Sequence, residues 1–297
     1  MFGCSGSGKS IGHAGELLQG VIGNEAFLVT LPAPPFTSHA VIRDSDGPRD
    51  YVQPVWKSKA LRAARIAWTR LDGPGRSFRL TIESATPVGR GCGSSTSDCV
   101  AAIRAVADLL CRPVSPNDVA QWSTEAEMAA DATMFDLRPV AFSQRRGRVL
   151  RALGADYPVM RVIAADLGGP PIDSVARPAP DYSDAEIAQF QRLLALLETS
   201  IERQDASGVA RVATASAAIQ QRHYPHTRWK DFVAVVERVD VLGVACAHSG
   251  TVAVALLGET RAEEQLVHDL DVMDLPVLAR YELSSERKGE AIACLSF

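Results

Sequence analysis

The chain reads as an α+β protein, because strand-like alternating runs and 3.6-periodic helical runs are mixed in both halves, without the strict alternation of a doubly wound parallel sheet. Its 297 residues suit one large domain or two ordinary ones. Hydrophobic residues are 46% and charged residues 22%, a globular composition away from disordered or fibrous chains.

Residues 26–31 and 39–43 read as short strands separated by a turn at Pro32-Ala33-Pro34-Pro35. Residues 57–71 carry Leu61, Ala64, Ile66, Trp68 and Leu71 in a helical pattern that Asp72-Gly73-Pro74-Gly75 stops. Ser77–Ser84 alternates Phe78, Leu80 and Ile82, as a strand with one buried face does. Residues 95–111 set Val100, Ile103, Val106, Ala107 and Leu110 on one stripe of a helix. Ser115 followed by Pro116 is a cap and first-turn proline that opens a helix to about residue 130. Strands at 140–142 and 149–153 meet at an Arg146-Gly147 turn, and a strand at 159–165 leads into a Gly- and Pro-rich loop. Beyond it come helices at 184–204, 206–221 and 229–242, strands at 243–247 and 251–257, a helix near 262–270, and two closing strands.

Charge and hydropathy exclude several classes of function. Thirty-one Lys and Arg against 35 Asp and Glu give a net charge of −4, so no global basic field draws the chain to nucleic acid or an anionic membrane. Apolar runs such as residues 252–258 are far shorter than the roughly 20 residues of a spanning helix, and the start lacks the apolar core of a signal peptide. Cytoplasmic retention is the expectation. The six cysteines are scattered, with no CxxC pair, and read as reduced thiols.

Three glycine-rich segments compete as sites of chemistry. Gly3 to Ser10, GCSGSGKS, matches the Walker pattern letter by letter. A Walker loop needs a strand before it and a helix after it, whereas only Met1 and Phe2 precede this one and Gly12, Gly15 and Gly20 weaken any helix after it. A flexible N-terminal stretch is therefore the expected reading. Pro87 to Asp98, PVGRGCGSSTSD, is better placed, between a predicted strand and a predicted helix. There Gly89, Gly91 and Gly93 permit close backbone approach, and Ser94, Ser95 and Thr96 stand at the helix start, where free N–H groups favour an anion. On local context, a phosphate cradle and a serine-capped turn weigh equally. Asp98 would repel phosphate unless it points away or meets a cation. The third segment, Cys246 to Thr251, reads on its own as a hairpin turn.

Taken together, GHAGELLQG at 12–20, PVGRGCGSSTSD at 87–98 and AHSGTVAVAL at 247–256 resemble the three motifs of the GHMP kinases, and within them the L-threonine kinase branch most. The resemblance implies an N-terminal domain over 1–166 similar to ribosomal protein S5 domain 2, and a ferredoxin-like C-terminal domain over 167–297. It implies an ATP- and Mg²⁺-dependent kinase acting on a small-molecule alcohol, L-threonine or another hydroxy amino acid first. ATP phosphates would lie on Pro87, Gly89, Arg90, Gly91, Cys92, Gly93, Ser94, Ser95 and Thr96. Ser94, Ser95 and Glu127 would hold Mg²⁺, and Asp131 would orient or deprotonate the hydroxyl. Glu127 and Asp131, four apart, are expected on one helical face.

His13, Glu16, His248, Ser249 and Gly250 would face the acceptor, with Glu16 the partner of an α-ammonium. The chain departs from many relatives in having no lysine between Ser10 and Lys57; Arg90 is a candidate substitute, and without one a non-catalytic ligand-binding protein stays open. A sugar or other alcohol kinase is the nearer alternative, and a homodimer is left open. His223, Tyr224 and His226 read as a structural helix-ending loop, and Arg145 to Arg148 as a solvated hairpin tip.

Overall fold

The structure is a computed structural model that describes residues 4–170, 178, 180–258 and 261–284. Two long antiparallel strands, β1 (Ser5–Ile22) and β2 (Glu25–Ser45), meet at a turn through Gly23 and Asn24. There follow β3 (Tyr51–Gln53), α1 (Ser58–Arg70), β4 (Ser77–Ser84), α2 (Ser94–Leu109) and α3 (Pro116–Glu127), then a 3₁₀ turn at Ala132–Phe135. Next are β5 (Val140–Ser143), β6 (Arg148–Ala152) and β7 (Met160–Asp166). The rest comprises α4 (Asp184–Glu202), α5 (Ala206–His223), α6 (Trp229–Val236), β8 (Gly243–Cys246), β9 (Val252–Leu257), α7 (Arg261–Val272) and β10 (Val277–Leu283). The predicted second closing strand lies outside the described residues, as does most of the Pro-rich loop after Pro170.

One sheet runs in the order β10-β7-β9-β8-β1-β2-β4-β3, with the β5–β6 hairpin attached to β2. Every pairing is antiparallel except that of β3 with β4. The mixture expected from the interleaved patterns is present, and three cores hold it together. Ile42, Leu80 and Ile82 pack on α1, α2 and α3 through Ala64, Val100, Ile103 and Trp122. Leu17 and Val29 pack on α4 and α5 through Phe190, Leu197 and Val209. Strands β7 and β9 are covered on both faces: Val162, Ala164 and Val254 face α4 and α5, whereas Ile163, Ala165 and Ala253 face Phe232, Val235 and Leu266 of α6 and α7. That two-sided burial explains why VAVALL carries no polar alternation. Each fully buried large side chain contributes about 1.5–3 kcal/mol.

Two expectations for the first third are corrected. The strands at 26–31 and 39–43 are one strand, because the Pro-rich stretch bulges out of the ladder without ending it. Ile11 pairs with Thr37 and the next residue, Gly12, with Ala33, leaving Pro34, Pro35 and Phe36 unpaired. Proline lacks an N–H for the ladder, and a bulge is where a sheet tolerates it. The described part of the Gly3 to Ser10 stretch, from Ser5 on, is strand and neither a loose end nor a Walker loop. Gly6 and Gly8 let β1 lie directly on α2: a Cβ on Gly8 would come within 2.2 Å of the Ala101 carbonyl and 2.4 Å of the Ala105 nitrogen. Lys9, the residue after Gly8, faces solvent.

Helix ends also shift. α3 opens at Ser115 with a full capping box to Asp118, but stops at Glu127, where Met128 turns to φ 73°. α6 stops at Val236, six residues before the predicted end.

Gly8→Val should therefore destabilise the protein by about 3 kcal/mol or more, since the contact is with helix backbone that cannot move aside. Lys9→Ala should stay within about 0.5 kcal/mol of wild type. Urea denaturation measures both, and a Gly8→Val midpoint equal to wild type would show that β1 does not pack on α2 in this way.

Candidate active site

The glycine loop after β4 ends in Gly93, which takes a left-handed conformation (φ 68°) and starts α2 without a side-chain cap. The first bond of the helix runs from Ser97 N–H to the Gly93 carbonyl, so the N–H groups before it are not used within the helix. Ser94, Ser95 and Thr96 line a cleft of about 510 Å³ together with Gly89, Gly91, Cys92 and Gly93. The glycines are sterically required: a Cβ on Gly91 would fall 1.9 Å from the Ser249 carbonyl oxygen, and one on Gly93 2.4 Å from the His13 ring.

Backbone and side-chain bonds draw the three glycine-containing segments together. His13 N–H donates to the Cys92 carbonyl (3.0 Å), joining β1 to the loop. Thr251 N–H donates to the Arg90 carbonyl (2.9 Å), joining the β8–β9 turn to the same loop. Gln19 meets His248, Oε1 to Nδ1, at 2.8 Å, and Glu16 pairs with Cys246 across the β1–β8 ladder. The turn at 246–251 is a hairpin, as local reading suggests, and it forms one wall of the site.

At the centre lie His13, Glu16 and Asp131. His13 Nε2 is 3.1 Å from Asp131 Oδ2, and Nδ1 is 3.7 Å from Glu16 Oε1. The Gly15 N–H points at Nδ1 (3.1 Å), so in the neutral ring Nε2 carries the proton and donates it to Asp131. Thr96 Oγ1 also donates to Asp131 Oδ2 (3.3 Å). Burial opposes charge on His13, but Asp131 and Glu16 outweigh it and raise its pKa to about 9. Burial alone would raise Asp131; His13, His248 and Thr96 reverse this and hold its carboxyl below the usual value. Glu16 is pushed up to about 8, by burial first and by Asp131, against the opposing pull of His13 and the nearby Thr30 hydroxyl. A carboxylate oxygen from each acid and a ring nitrogen of His13 lie within 4.8 Å of one another, close enough to hold a metal ion.

Glu127 closes the other side. It is buried, its Oε1 has no hydrogen-bond partner, and burial raises its pKa to about 7 despite Ser95, Lys59 and Thr96. Lys59 Nζ stands 4.0 Å from Glu127 Oε2. Glu127 and Asp131 both reach the cleft, but not along one helical face. The left-handed turn at Met128 ends α3 between them, and Asp131 caps the following 3₁₀ turn.

Several expected residues lie elsewhere or act differently. The Arg90 side chain is tied to Asp166 (3.1 Å) and to the Gly169 carbonyl (3.1 Å), outside the residues that line the cleft, so it is no substitute for a first-motif lysine. Pro87 and Gly250 are also not among the residues that line the cleft. A Cβ on Gly250 would meet the Arg90 carbonyl at 2.2 Å, so its part is to let the two loops touch. His248 and Ser249 line the cleft as expected. Asp98 points away, ion-paired with buried Lys57 and accepting from Ser38 (2.8 Å), which removes the repulsion it would exert on an anion.

His223 contacts Glu186 and His226 contacts Gln221, both structural. Arg146 and Arg148 pair with Glu25 at the hairpin tip, while Arg145 turns into the cleft. Sequence reasoning missed Lys59 and Arg62, which line the cleft from α1. Their i, i+3 spacing off the apolar stripe of a predicted helix was the available signal.

Residues 57–144 match the family described as GHMP kinases N terminal domain. An L-threonine kinase from Citrobacter freundii is 25% identical over 259 residues, which cover 86% of this chain and 86% of that protein. Homoserine kinase from Cytophaga hutchinsonii has a similar structure, with TM-score 0.68 at 14% identity over 94% of each chain. Phosphomevalonate kinase from Streptococcus pneumoniae, solved in complex with phosphomevalonate and AMPPNP, gives TM-score 0.68 at 16% identity over 95% of this chain and 100% of that one. The α+β fold is thus the fold of GHMP kinases.

Glu16 and His13 both hold protons more tightly folded than unfolded. Their contribution to stability is complete below the unfolded values of 4.5 and 6.5 and is lost as pH rises through about 8 and 9. The ligand-free protein should therefore melt at progressively lower temperature from about pH 5 to about pH 9, and Glu16→Gln should flatten the slope. Melting curves with the same slope for both proteins would contradict this placement of Glu16.

Proposed function

We propose that this chain, which carries a GHMP kinases N-terminal domain over residues 57–144 within a GHMP kinase fold, is an ATP-dependent kinase of a small-molecule hydroxyl group, L-threonine first. The observation that carries the reading is a juxtaposition: an uncapped helix start behind a glycine loop shares one cleft with an ionised carboxylate, Asp131. The first is a seat for phosphate, and the second is a partner for an alcohol O–H. The 25% identity to an L-threonine kinase over most of both chains favours that acceptor over a sugar.

Phosphoryl transfer asks a protein for positioning and charge more than for covalent chemistry. The N–H groups at the start of α2 and the glycine loop would receive the ATP phosphates, with the helix dipole adding positive potential. Lys59 and Arg62 stand across the same space and supply the positive charge that the first motif lacks; with them present, the missing lysine gives no support to a non-catalytic protein. Ser94, Ser95 and Glu127 suit Mg²⁺: two hydroxyls face a buried carboxyl whose Oε1 has no other partner. Bound there, the ion would offset phosphate charge.

Asp131, kept ionised by His13 and Thr96, accepts the acceptor O–H. Its low pKa makes it an orienting group in the ground state, which takes the proton as the new O–P bond forms and ADP departs. His13 fixes the Asp131 rotamer through the Nε2 contact, and His248 and Ser249 form the wall facing the acceptor.

Asp131→Asn should leave ATP affinity within a few-fold and lower kcat about 10²- to 10⁴-fold in an ADP-release assay with L-threonine. Lys59→Ala should instead raise KM for ATP, by about tenfold for a lost charge-assisted contact, whereas Lys9→Ala should change neither constant. Turnover of Asp131→Asn within threefold of wild type would remove Asp131 from the chemistry, and a large loss in Lys9→Ala would reinstate the Walker reading.

A further inference from the structure

The tip of the β5–β6 hairpin carries three arginines, and they part ways. Arg146 and Arg148 turn to Glu25, at 3.6 and 2.6 Å. Arg145 faces the cleft instead, and among the described residues it makes no ion pair or hydrogen bond.

Its backbone is held although its side chain is not. The Ser143 carbonyl accepts from the N–H groups of Arg146 (3.2 Å) and Gly147 (2.9 Å) and closes the turn. Gly147, at φ 61°, seats that turn on α3: a Cβ there would come within 2.7 Å of Thr124 Oγ1 and 2.9 Å of the Ala120 carbonyl oxygen. The Gln144 carbonyl accepts from the Ala130 N–H at 2.9 Å. Arg145 therefore leaves the backbone beside the short stretch, 128–130, that joins Glu127 to Asp131. If phosphate charge lies toward Glu127 and the acceptor hydroxyl meets Asp131, the group in transfer passes along that stretch.

We infer that Arg145 is a catalytic residue whose guanidinium closes on the γ-phosphoryl group as it is transferred. The inference rests on the kinase reading and adds a residue to it. The acceptor oxygen forms a bond to the γ-phosphorus, the bond from that phosphorus to the β–γ bridging oxygen breaks with its electron pair leaving on ADP, and the hydroxyl proton passes to Asp131. Three peripheral oxygens carry negative charge throughout, and the fork of a guanidinium matches two of them.

Other cations near this path are committed. His13 lies between the Gly15 N–H and Asp131, Lys59 stands by Glu127, and Arg90 is tied to Asp166. Arg62 shares α1 with Lys59 and lines the cleft from that helix. An arginine with no carboxylate of its own gives up its rotamer freedom only when an anion orders it. A contact completed in the transition state raises turnover and leaves ATP affinity nearly unchanged.

The test measures ADP release and melting temperature for wild type, Arg145→Ala, Arg145→Lys and Arg146→Ala, with L-threonine or, if it is inert, the best acceptor from a panel of hydroxy amino acids and sugars. Arg145→Ala should lower kcat about 10²- to 10³-fold, with KM for ATP within about threefold of wild type and the melting temperature unchanged. Arg145→Lys should fall between the two, because an ammonium supplies charge without the fork. Arg146→Ala should keep the wild-type kcat. Guanidinium chloride, at concentrations that leave the melting curve unchanged, should restore the kcat of Arg145→Ala by about tenfold and not raise that of wild type, a response that a structural role does not give. Turnover of Arg145→Ala within about threefold of wild type, a rise in either KM with kcat preserved, no rescue by guanidinium, or an equal loss in Arg146→Ala would each overturn the inference and leave the kinase reading standing. A wild-type protein that releases no ADP with any acceptor would overturn the kinase reading and this inference with it.

Discussion

The bond from the His13 N–H to the Cys92 carbonyl is the contact on which the site depends. β1 would otherwise run past the glycine loop as an ordinary sheet strand, with its side chains alternating between the two faces. The three-residue bulge opposite it, where Pro34, Pro35 and Phe36 stay out of the ladder, falls between Ile11 and Gly12, just before the residue that bonds the loop. From that point the chain brings His13 against Asp131 and, three residues on, Glu16 into the cleft. The same strand then carries Gln19 to His248. Three register shifts in the β1–β2 ladder, at Ile11/Gly12, His13/Glu16 and Glu16/Leu18, thus lie along the stretch that holds His13 and Glu16 beside Asp131.

Charge within the cleft is segregated. On the side of α1 and the helix start lie Lys59, Arg62, Arg145 and the free N–H groups; on the side of β1 lie Glu16, Asp131 and His13. With Glu16 protonated, the imidazolium of His13 and the carboxylate of Asp131 balance the β1 side. The raised values of Glu16, Glu127 and His13 follow from this crowding, since burial and like charge hold protons on both acids while the acids hold one on the imidazole. Asp131 differs because it has direct donors from His13 and Thr96. Two carboxyls within 4.8 Å of each other therefore stand in opposite protonation states, the one with direct donors ionised and the one without them protonated.

Much of this was legible in the residues. Gly89, Gly91 and Gly93 before Ser94 announced a strand-loop-helix cradle, and the stripe from Val100 to Val106 announced the helix beneath it, because steric rules and periodicity are local. What failed was non-local. Pro32 to Pro35 look like a turn until a partner strand is present to carry the ladder around them. Gly6 and Gly8 look like flexibility until α2 is known to press on them. The i, i+4 spacing of Glu127 and Asp131 suggested a shared face, but Met128 in a left-handed turn breaks the helix, and nothing about methionine marks it for that conformation. Arg90 looked like a free cation beside a phosphate loop; only the fold shows Asp166, at the end of β7, waiting for it.

The absent first-motif lysine and the present Glu16 are best understood together. A lysine on β1 near His13 would have paired with Asp131 or Glu16 and satisfied the acids internally, closing the subsite to any cationic ligand. Moving the positive charge to Lys59 on α1 places it beside Glu127, where phosphate charge would be met, and leaves His13 as the cation beside Glu16 and Asp131. The exchange leaves Glu16 buried without a Lys or Arg beside it, its proton held by burial and by Asp131 against the pull of His13, while Lys59, Arg62 and Arg145 are the Lys and Arg residues that line the cleft.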